Sequence, residues 1–146
     1  MIFRDAEPDD LPAIVSLLAD DPLGAQREQL GDLAYRAALE AITADPRASF
    51  IVADDLGVVV GCLQLNIVPG LARRGCLRAQ LESVRIAGSQ RRAGLGAKLV
   101  AEAIRRAREA GCGLVELSSD MTRKDAHRFW ERQGFKGSHL GMKLAL

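Results

Sequence analysis

The sequence lacks several features that mark particular classes of protein. No apolar run approaches the ~20 residues that a membrane-spanning helix needs, and Met1–Asp5 lacks the basic, apolar and small-residue order of a signal peptide. The net charge is only +1 in 146 residues, which gives no general attraction to nucleic acid or to an anionic membrane. These absences predict a cytoplasmic protein with neither a nucleic-acid partner nor a membrane partner.

Disulfide bonds and metal ligands are also missing from the pattern. The three cysteines, Cys62, Cys76 and Cys112, are odd in number and have no paired spacing. The two histidines, His127 and His139, do not complete a ligand set. We therefore expect no metal, and we expect the cysteines to be small buried apolar side chains.

The length and composition of the chain suit one folded unit. A chain of 146 residues can form one core, and its 48% apolar and 27% charged residues are ordinary for a globular protein. We therefore treat residues 1–146 as a single domain. The periodicity predicts a mixed α/β unit, with a strand at 2–4, helices at about 11–18 and 28–43, a hairpin of strands 50–53 and 58–65, a strand at 76–86, a helix at 97–110, a strand at 114–117, a short helix at 125–132 and final strands over 135–146.

The long strand at 76–86 has one face that is too polar for a core. Arg78, Gln80 and Glu82 alternate with apolar neighbours along it, so they share that face. The face either meets solvent or lines a functional cleft.

The turn Arg91–Gly96 follows this strand and opens the most regular predicted helix. The first turn of a helix has unpaired N–H groups and a partial positive charge, so it can hold a phosphate group. Gly94 and Gly96 allow close backbone approach, and Arg91 and Arg92 add cations. Glycines here could equally serve only the geometry of the turn. A P-loop is excluded because no Gly-Lys-Ser/Thr follows, and a Rossmann motif because the third glycine is missing.

Three segments together resemble the GNAT N-acetyltransferase superfamily. Leu81–Ile86 and Arg91–Gly96 resemble its central strand and its Arg/Gln-x-x-Gly-x-Gly/Ala turn, and Ala126–Phe135 is similar to its closing helix with a terminal Gly-Phe. The predicted order of elements matches over nearly the whole chain. The resemblance implies a GNAT-like α/β (α+β) domain with a mixed, mostly antiparallel central sheet flanked by helices, and a splayed strand pair at the cofactor site.

The resemblance also implies that acetyl-coenzyme A is the cofactor. Its pyrophosphate would lie on the N–H groups from Arg92 to Ala97, with Arg91 as an extra cation, and its pantetheine would run beside Val84–Ile86. The implied cofactor residues are therefore Val84, Arg85, Ile86, Arg91, Arg92, Ala93, Gly94, Leu95, Gly96 and Ala97, together with Ala126, Phe129 and Arg123. Relatives often have an asparagine at the last of these positions.

For catalysis, the resemblance implies that the Val84 N–H donates to the thioester oxygen and that Glu82 resembles the general base. Glu82 could also be a surface carboxylate or a substrate-binding anion. Trp130 stands where many relatives have a tyrosine that protonates the leaving thiolate. An indole N–H does not give up its proton near neutral pH, so Trp130 either orients the sulfur or packs against the core.

The function that these features favour is transfer of an acetyl group to a primary amine of a small molecule or protein. The missing tyrosine keeps a non-catalytic acyl-coenzyme A binding or sensing domain as the alternative, and a purely structural domain is the third. The acidic pair Asp20–Asp21 weakly favours a cationic acceptor, and the final strands would allow a homodimer.

Overall fold

Five strands, three from the first half of the chain and two from the second, form one sheet. The computed structural model describes residues 1–146. The strands lie in the order in which they occur in the chain and are β1 (Ile2–Asp5), β2 (Ala48–Asp55), β3 (Val58–Val68), β4 (Arg78–Ile86) and β5 (Leu114–Leu117). β1 to β4 pair antiparallel, whereas β4 and β5 are parallel. Ile51, Val52 and Ala53 are fully buried because helices cover both faces of β2.

Five helices of more than one turn flank the sheet. They are α1 (Leu11–Ala19), α2 (Pro22–Arg27), α3 (Ala34–Ala44), α4 (Leu95–Glu109) and α5 (Lys124–Arg132). Short helical turns also occur at Pro8–Asp10, Ala72–Gly75 and Gly88–Gln90. None of the helices combines the length and apolarity that crossing a membrane would require.

The core lies in two layers, one on each face of the sheet. On one face, Ile14 and Leu17 of α1 and Leu39 of α3 pack against Phe50, Val52 and Cys62. On the other face, α4 packs on the sheet to form what we call the α4 core, which consists of Ile51, Leu63, Leu65, Ala79, Leu81, Leu99, Val100, Ala103 and Ala107. The predicted mixed, mostly antiparallel sheet flanked by helices is therefore confirmed.

The helix predicted over 28–43 is wrong in its first turn and a half. Gly31 has φ 83°, and the Asp32 side chain accepts a hydrogen bond from the Ala34 N–H at 2.9 Å, so the helix begins at Ala34. Leu30 and Leu33, which were expected on its inner face, are 64% and 84% exposed. The break predicted just before it contains α2, because Pro22 occupies the first turn of a helix whose N-cap is an aspartate.

Two elements in the second half of the chain, α4 and the final segment, also differ from the prediction. α4 begins at Leu95, two residues earlier than expected, since Gly94 in a left-handed conformation (φ 79°) forms its N-cap. The final strands predicted over 135–146 are wrong for the single chain, in which no residue of this segment belongs to a strand. A strand requires a neighbouring strand, and in one copy of the chain this segment has none.

Candidate active site

The parallel pair β4 and β5 separates halfway along its length. Arg78–Leu81 pairs with Leu114–Leu117, but β4 continues to Ile86 with only β3 beside it. From Glu82 onward, the edge of β4 that faces away from β3 has no strand partner. This opening corresponds to the splayed strand pair that the family resemblance implies, and an edge without a strand partner can pair with an extended ligand.

A β-bulge lies in β4 at the point where the strands separate. Ser83 has φ 55°, which is uncommon for a residue other than glycine, and Ser83 and Val84 together face the single residue Leu63 of β3. The Cys62 thiol donates to the Ser83 carbonyl at 3.6 Å. Val84 consequently has no partner residue in β3 or in β5. An N–H that binds a ligand must lack a strand partner in this way.

The turn after β4 presents a group of amides that have no backbone partner. The N–H groups of Arg92, Gly94, Leu95, Gly96 and Ala97 donate to no carbonyl, whereas the Ala93 N–H donates to Gln90 at 3.4 Å. They lie at the positive end of a helix of 15 residues. The predicted phosphate-binding amides from 92 to 97 are therefore free except for that of Ala93. The Leu95 side chain is buried in the core, so only its amide can face a ligand.

The two glycines of this turn are needed for different reasons. Gly94 has φ 79°, and a Cβ placed there would meet nothing within 4 Å, so its role is to allow the left-handed conformation. A Cβ at Gly96 would lie only 3.2 Å from Phe129 Cζ, so Gly96 lets α5 pack closely against the start of α4. Phe129, one of the predicted cofactor residues, therefore lies beside the turn.

The predicted residues of the closing helix share one face of α5. Arg123 is its N-cap, and Ala126 and Phe129 follow at intervals of three residues, so the three lie on the same side. All three are half-buried. The helix therefore forms the far wall of the opening, with Phe129 in contact distance of the turn.

The predicted cation Arg91 is already engaged within the protein. Its Nε donates to the Ile86 carbonyl at 3.2 Å, and its Nη2 pairs with Asp20 Oδ2 at 3.1 Å. Arg91 therefore joins the turn to the end of α1, although its side chain remains 54% exposed. Arg92 is exposed, has φ 68° and forms no ion pair, so its guanidinium is the freer of the two.

The polar face formed by β4 and β5 carries two carboxylates in different surroundings. Glu82 is exposed and accepts one hydrogen bond, from Asn66 Nδ2 at 3.4 Å, and Asn66 in turn accepts from Gln64 Nε2 at 3.0 Å. Glu116 on β5 accepts from both Arg78 Nη1 at 3.1 Å and Gln80 Nε2 at 3.2 Å. The face therefore lines the opening, and Glu82 has the more accessible carboxylate.

Trp130 lies in an aromatic group at the edge of the α4 core. Its ring makes edge contacts with Phe129 (centroids 4.9 Å apart) and Phe135 (5.3 Å). Its indole N–H makes no hydrogen bond to a backbone carbonyl or side chain. This environment favours packing, which was one of the two roles considered from the sequence.

Cys62 lies beside the site but has no nucleophilic character. Burial raises the pKa of its thiol to about 12, so it stays protonated and serves as a donor to the bulge. The prediction of a buried structural cysteine is confirmed for Cys62, whereas Cys76 and Cys112 are only half-buried.

A cluster of arginines near the opening brings two predicted cofactor residues, Arg85 and Arg123, close to Arg27, which the sequence analysis did not single out. Arg85 Nη2 pairs with Asp21 Oδ2 at 3.2 Å, and both side chains are largely buried. Burial alone would raise the pKa of Asp21, but the Gly24 N–H and the guanidinium groups of Arg85, Arg123 and Arg27 hold it below its ordinary value. Burial lowers the pKa of Arg85, and the nearby Arg123 and Arg27 lower it further. We call Arg27, Arg85 and Arg123 the arginine cluster. No spacing in the sequence links these three residues.

Two cavities flank these elements. A pocket of about 150 Å³ between α1, α3 and the sheet is mostly apolar but includes Tyr35, Gln64 and Ser83, so it reaches the bulge. A larger cavity of about 400 Å³ lies between the segment Ala6–Pro8 and α3, and it contains none of the site residues. The smaller pocket therefore has the better claim to a role in the site.

Known proteins resemble this chain over nearly its whole length. The model of the acetyltransferase (GNAT) family matches residues 11–135. Aminoalkylphosphonate N-acetyltransferase of Salmonella typhimurium strain LT2 is 30% identical over 144 residues, which are 99% of this chain and 90% of that protein. A crystal structure of a transcriptional regulator from Bacillus halodurans C-125 is 40% identical, with a TM-score of 0.96 and 99% of each chain covered. An acetyltransferase from Trypanosoma brucei is 26% identical, with a TM-score of 0.82 and 99% of each chain covered.

Proposed function

Because this chain belongs to the acetyltransferase (GNAT) family, and is therefore an enzyme that moves an acetyl group from acyl-coenzyme A to an amine, we propose that the opening between β4 and β5 is its active site. The observation that carries this proposal is that an edge without a strand partner and a group of free amides lie in one short stretch of chain. The edge of Glu82–Ile86 is followed, after the hydrogen-bonded segment 87–91, by the free amides of the turn. One extended, anionic cosubstrate can use both, and acetyl-coenzyme A has that form.

In this proposal the turn binds the pyrophosphate. Five amides without backbone partners and the positive end of α4 supply donors and charge where a phosphate needs them. Arg92 supplies the free cation, while Arg91 holds the turn in place through Asp20. The pantetheine arm then pairs with β4 from Ile86 toward Val84, and the face of α5 formed by Arg123, Ala126 and Phe129 closes the other side.

The acyl group would lie at the bulge. The Val84 N–H, which has no register partner, donates to the thioester oxygen and stabilises the negative charge that develops there when an amine attacks. The amine must first lose a proton, because an ammonium group has no lone pair. Glu82 is the exposed carboxylate on the adjacent polar face, so we assign it the role of general base, directly or through water. Glu116 is less suited because two donors already occupy one of its oxygens.

The leaving thiolate needs no acid from the protein. Thiols have pKa values near ~8.5, so a thiolate is a fair leaving group at neutral pH. Trp130 packs between Phe129 and Phe135 and cannot donate its indole proton. We therefore propose that Trp130 shapes the site and that water protonates the sulfur.

The arginine cluster indicates an acceptor amine that also carries an anionic group. Arg85 shares β4 with Val84, and Arg123 begins α5, so the cluster spans the two walls of the opening. It brings three cations around Asp21, and Asp120 also lies near Arg123, so the positive charges outnumber the two carboxylates by one. Asp20 and Asp21 are each paired with an arginine, so the cationic acceptor weakly favoured by the sequence loses its support. The relative from Salmonella typhimurium is named for aminoalkylphosphonates, which have both an amine and a dianionic group.

The test is acetyl transfer to matched amines, measured as release of coenzyme A. We expect 2-aminoethylphosphonate to be acetylated with a KM at least tenfold below that of ethanolamine, which has the amine but not the charge. At saturating acetyl-coenzyme A, which offsets any loss of pantetheine contact, Arg123→Ala should raise the KM for the phosphonate about tenfold and leave that for ethanolamine unchanged. The tenfold change corresponds to the loss of one charge-assisted hydrogen bond. Arg128→Ala is the matched control, since Arg128 is on the same helix but pairs with Asp125 at the surface.

Two results would contradict these proposals separately. Equal KM values for the two amines would contradict the proposal of an anionic acceptor but not the proposed location of the active site. Binding of coenzyme A without acetylation of any amine in a broad panel would instead support the non-catalytic binding domain.

A further inference from the structure

The pocket of about 150 Å³ lies on the face of the sheet that α1 and α3 cover, and we call it the α1–α3 pocket. It arises because α1 packs on β3 and β4 whereas α3 packs on β2, so the two helices leave a gap over the sheet. Its walls include Ile14 and Val15 from α1 and Leu39 and Ile42 from α3. Ala38 is exposed at the rim, where its small side chain leaves the gap open.

The floor of this pocket includes the part of the sheet that carries the β-bulge. Gln64 of β3 and Ser83 of the bulge line it there. Gln64 is the register partner of Glu82, and a chain of side-chain hydrogen bonds also joins the two. The Gln64 amide donates to Asn66 at 3.0 Å, and the Asn66 amide donates to Glu82 at 3.4 Å. The pocket therefore lies beside the carboxylate that we assigned as the general base.

The bulge also brings Arg85 to this face of the sheet. Residues directly opposite each other in paired strands share a face, and Glu82 and Arg85 lie opposite Gln64 and Cys62. Gln64 lines the pocket, and Cys62 packs with residues of α1 and α3. In a regular strand, residues 82 and 85 would point to opposite faces, and the extra residue of the bulge corrects this. A carboxylate and a guanidinium thus flank Ser83, about 10 Å apart along the strand.

The size and lining of the pocket indicate an apolar occupant about as large as a phenyl ring. A cavity of roughly 150 Å³ lined by leucine, isoleucine and phenylalanine is large enough for benzene. Apart from Gln64 and Ser83, the lining is apolar or aromatic, so a polar group in the pocket would lose its hydrogen bonds to water without replacing them. Pantetheine is not the occupant, because in the proposed function it follows the edge of β4 toward α5, whereas the pocket lies under α1 and α3.

We propose that the α1–α3 pocket binds an apolar branch of the acceptor, so that one carbon of the acceptor carries the amine, an anionic group and an alkyl or aryl substituent. This inference rests on the proposed function, which places the amine at Glu82 and the anionic group at the arginine cluster. The three groups then match three features around Ser83, which are the Glu82 carboxylate, the Arg85 guanidinium and the pocket. A tetrahedral carbon directs its substituents along different directions, as this arrangement requires.

Two matched pairs of amines test the inference with the full chain at saturating acetyl-coenzyme A. Each pair differs only in a benzyl branch on the carbon that bears the amine. The pairs are aminomethylphosphonate with 1-amino-2-phenylethylphosphonate, and ethanolamine with 2-amino-3-phenylpropan-1-ol, and each enantiomer of a branched amine is assayed separately. In both pairs, we expect the better enantiomer to have a kcat/KM about 30-fold above that of the unbranched amine, as the burial of one phenyl ring implies.

Ala38→Phe places a ring at the rim of the pocket and should reduce this preference to about threefold or less, because the ring competes with the branch for the same space. Ala37→Phe is the matched control, since Ala37 is the neighbouring exposed alanine of α3 but lines neither the α1–α3 pocket nor the larger cavity. It should keep the full preference. The preference is a ratio measured on one protein, so a general loss of activity does not alter it, and a melting curve checks that each variant is folded.

The possible failures can be told apart. Equal kcat/KM values within both pairs would overturn the inference and leave the proposed function unaffected. A preference that Ala38→Phe does not reduce would place the branch elsewhere and overturn the inference too. Faster transfer from butyryl-coenzyme A than from acetyl-coenzyme A, abolished by Ala38→Phe, would assign the pocket to the acyl group instead. Acetylation of none of the four amines would contradict the proposed function and the inference with it.

Discussion

Substitution of Gly94 separates its two roles, which are to allow a left-handed backbone and to leave room for a phosphate. Gly94→Ala adds a methyl group that meets no protein atom within 4 Å. Its effect on folding therefore comes only from the backbone, because φ 79° is unfavourable for alanine by about 1–2 kcal/mol. For a chain of this length, that free energy lowers the melting temperature by roughly 3–8 °C.

Gly57→Ala is the matched control for this strain. Gly57 has φ 89°, a Cβ there also meets nothing within 4 Å, and the residue lies in the turn between β2 and β3. The two variants should therefore lose similar stability. Only Gly94→Ala should also lose affinity for coenzyme A, because its methyl group stands at the N-cap beside the amides assigned to the pyrophosphate. We expect the Kd to rise at least tenfold, which is about 1.4 kcal/mol.

The assay is calorimetric titration with coenzyme A, supported by melting curves with and without ligand. At a coenzyme A concentration of about 100 Kd, binding stabilises the native state by about 2.7 kcal/mol, and a tenfold weaker variant gains about half of this. Gly94→Asn adds a third measurement, since asparagine tolerates the left-handed region but still places atoms beside the amides. If Gly94→Ala binds coenzyme A as tightly as Gly57→Ala does, the turn is not the pyrophosphate site.

Three further predictions concern the catalytic face, the aromatic group and the charges at the other end of the sheet. Glu82→Gln should lower kcat by about 100-fold or more at pH 7 without changing the melting temperature, because the carboxylate is exposed and its assigned role is proton transfer; an unchanged kcat would remove it as the base. Trp130→Phe should keep kcat within about threefold, and Trp130→Ala should lower the free energy of unfolding by about 3 kcal/mol, as expected for a packing residue. A large loss of kcat in the phenylalanine variant would refute the packing role. The Arg4 guanidinium pairs with Asp10 at 2.7 Å and with Asp54 at 2.9 Å, and it holds the pKa of each carboxyl below its ordinary 3.8. The two ion pairs therefore stabilise the fold fully above pH 3.8, and this stabilisation is lost as the pH falls through the lowered pKa values. Arg4→Met should therefore lower the urea midpoint more at pH 7 than at pH 3, and equal losses would contradict the linkage.

The elements that could be predicted from sequence are those whose signal is local and continuous. The long apolar run of β2, the alternation of β4 and the periodicity of α4 each identify an element without knowledge of its neighbours. The turn Arg91–Gly96 was recognised because its glycines, its arginines and the elements around it occupy one short stretch. Gly96 shows the limit of that reasoning, since its close approach to Phe129 depends on a helix some 30 residues later.

The arginine cluster could not be predicted because its members come together only through the fold. Arg27 ends α2, Arg85 lies on β4 and Arg123 begins α5, so three separate elements supply them. In the sequence Arg27 resembles an ordinary surface cation, and the family resemblance assigned Arg85 and Arg123 only to the cofactor. In the sequence, Asp21 appears only as part of an acidic pair, which suggests a negative surface. In the fold, the nearby guanidinium groups of the arginine cluster make its surroundings positive. The nature of the acceptor depends on such long-range neighbours, so it can be inferred only from the structure.

The last eight residues show how a correct periodicity can give a wrong element. Their alternation is that of a strand, but residues 139–146 make no backbone hydrogen bond. Alternation specifies which side chains share a face, but a ladder also needs a free edge, and the edge that matches is β5. The Gly141 segment reaches Ser118 without pairing, so proximity alone does not form a ladder. The alternation was therefore identified correctly, and the lack of a partner strand is the reason that it gives no strand.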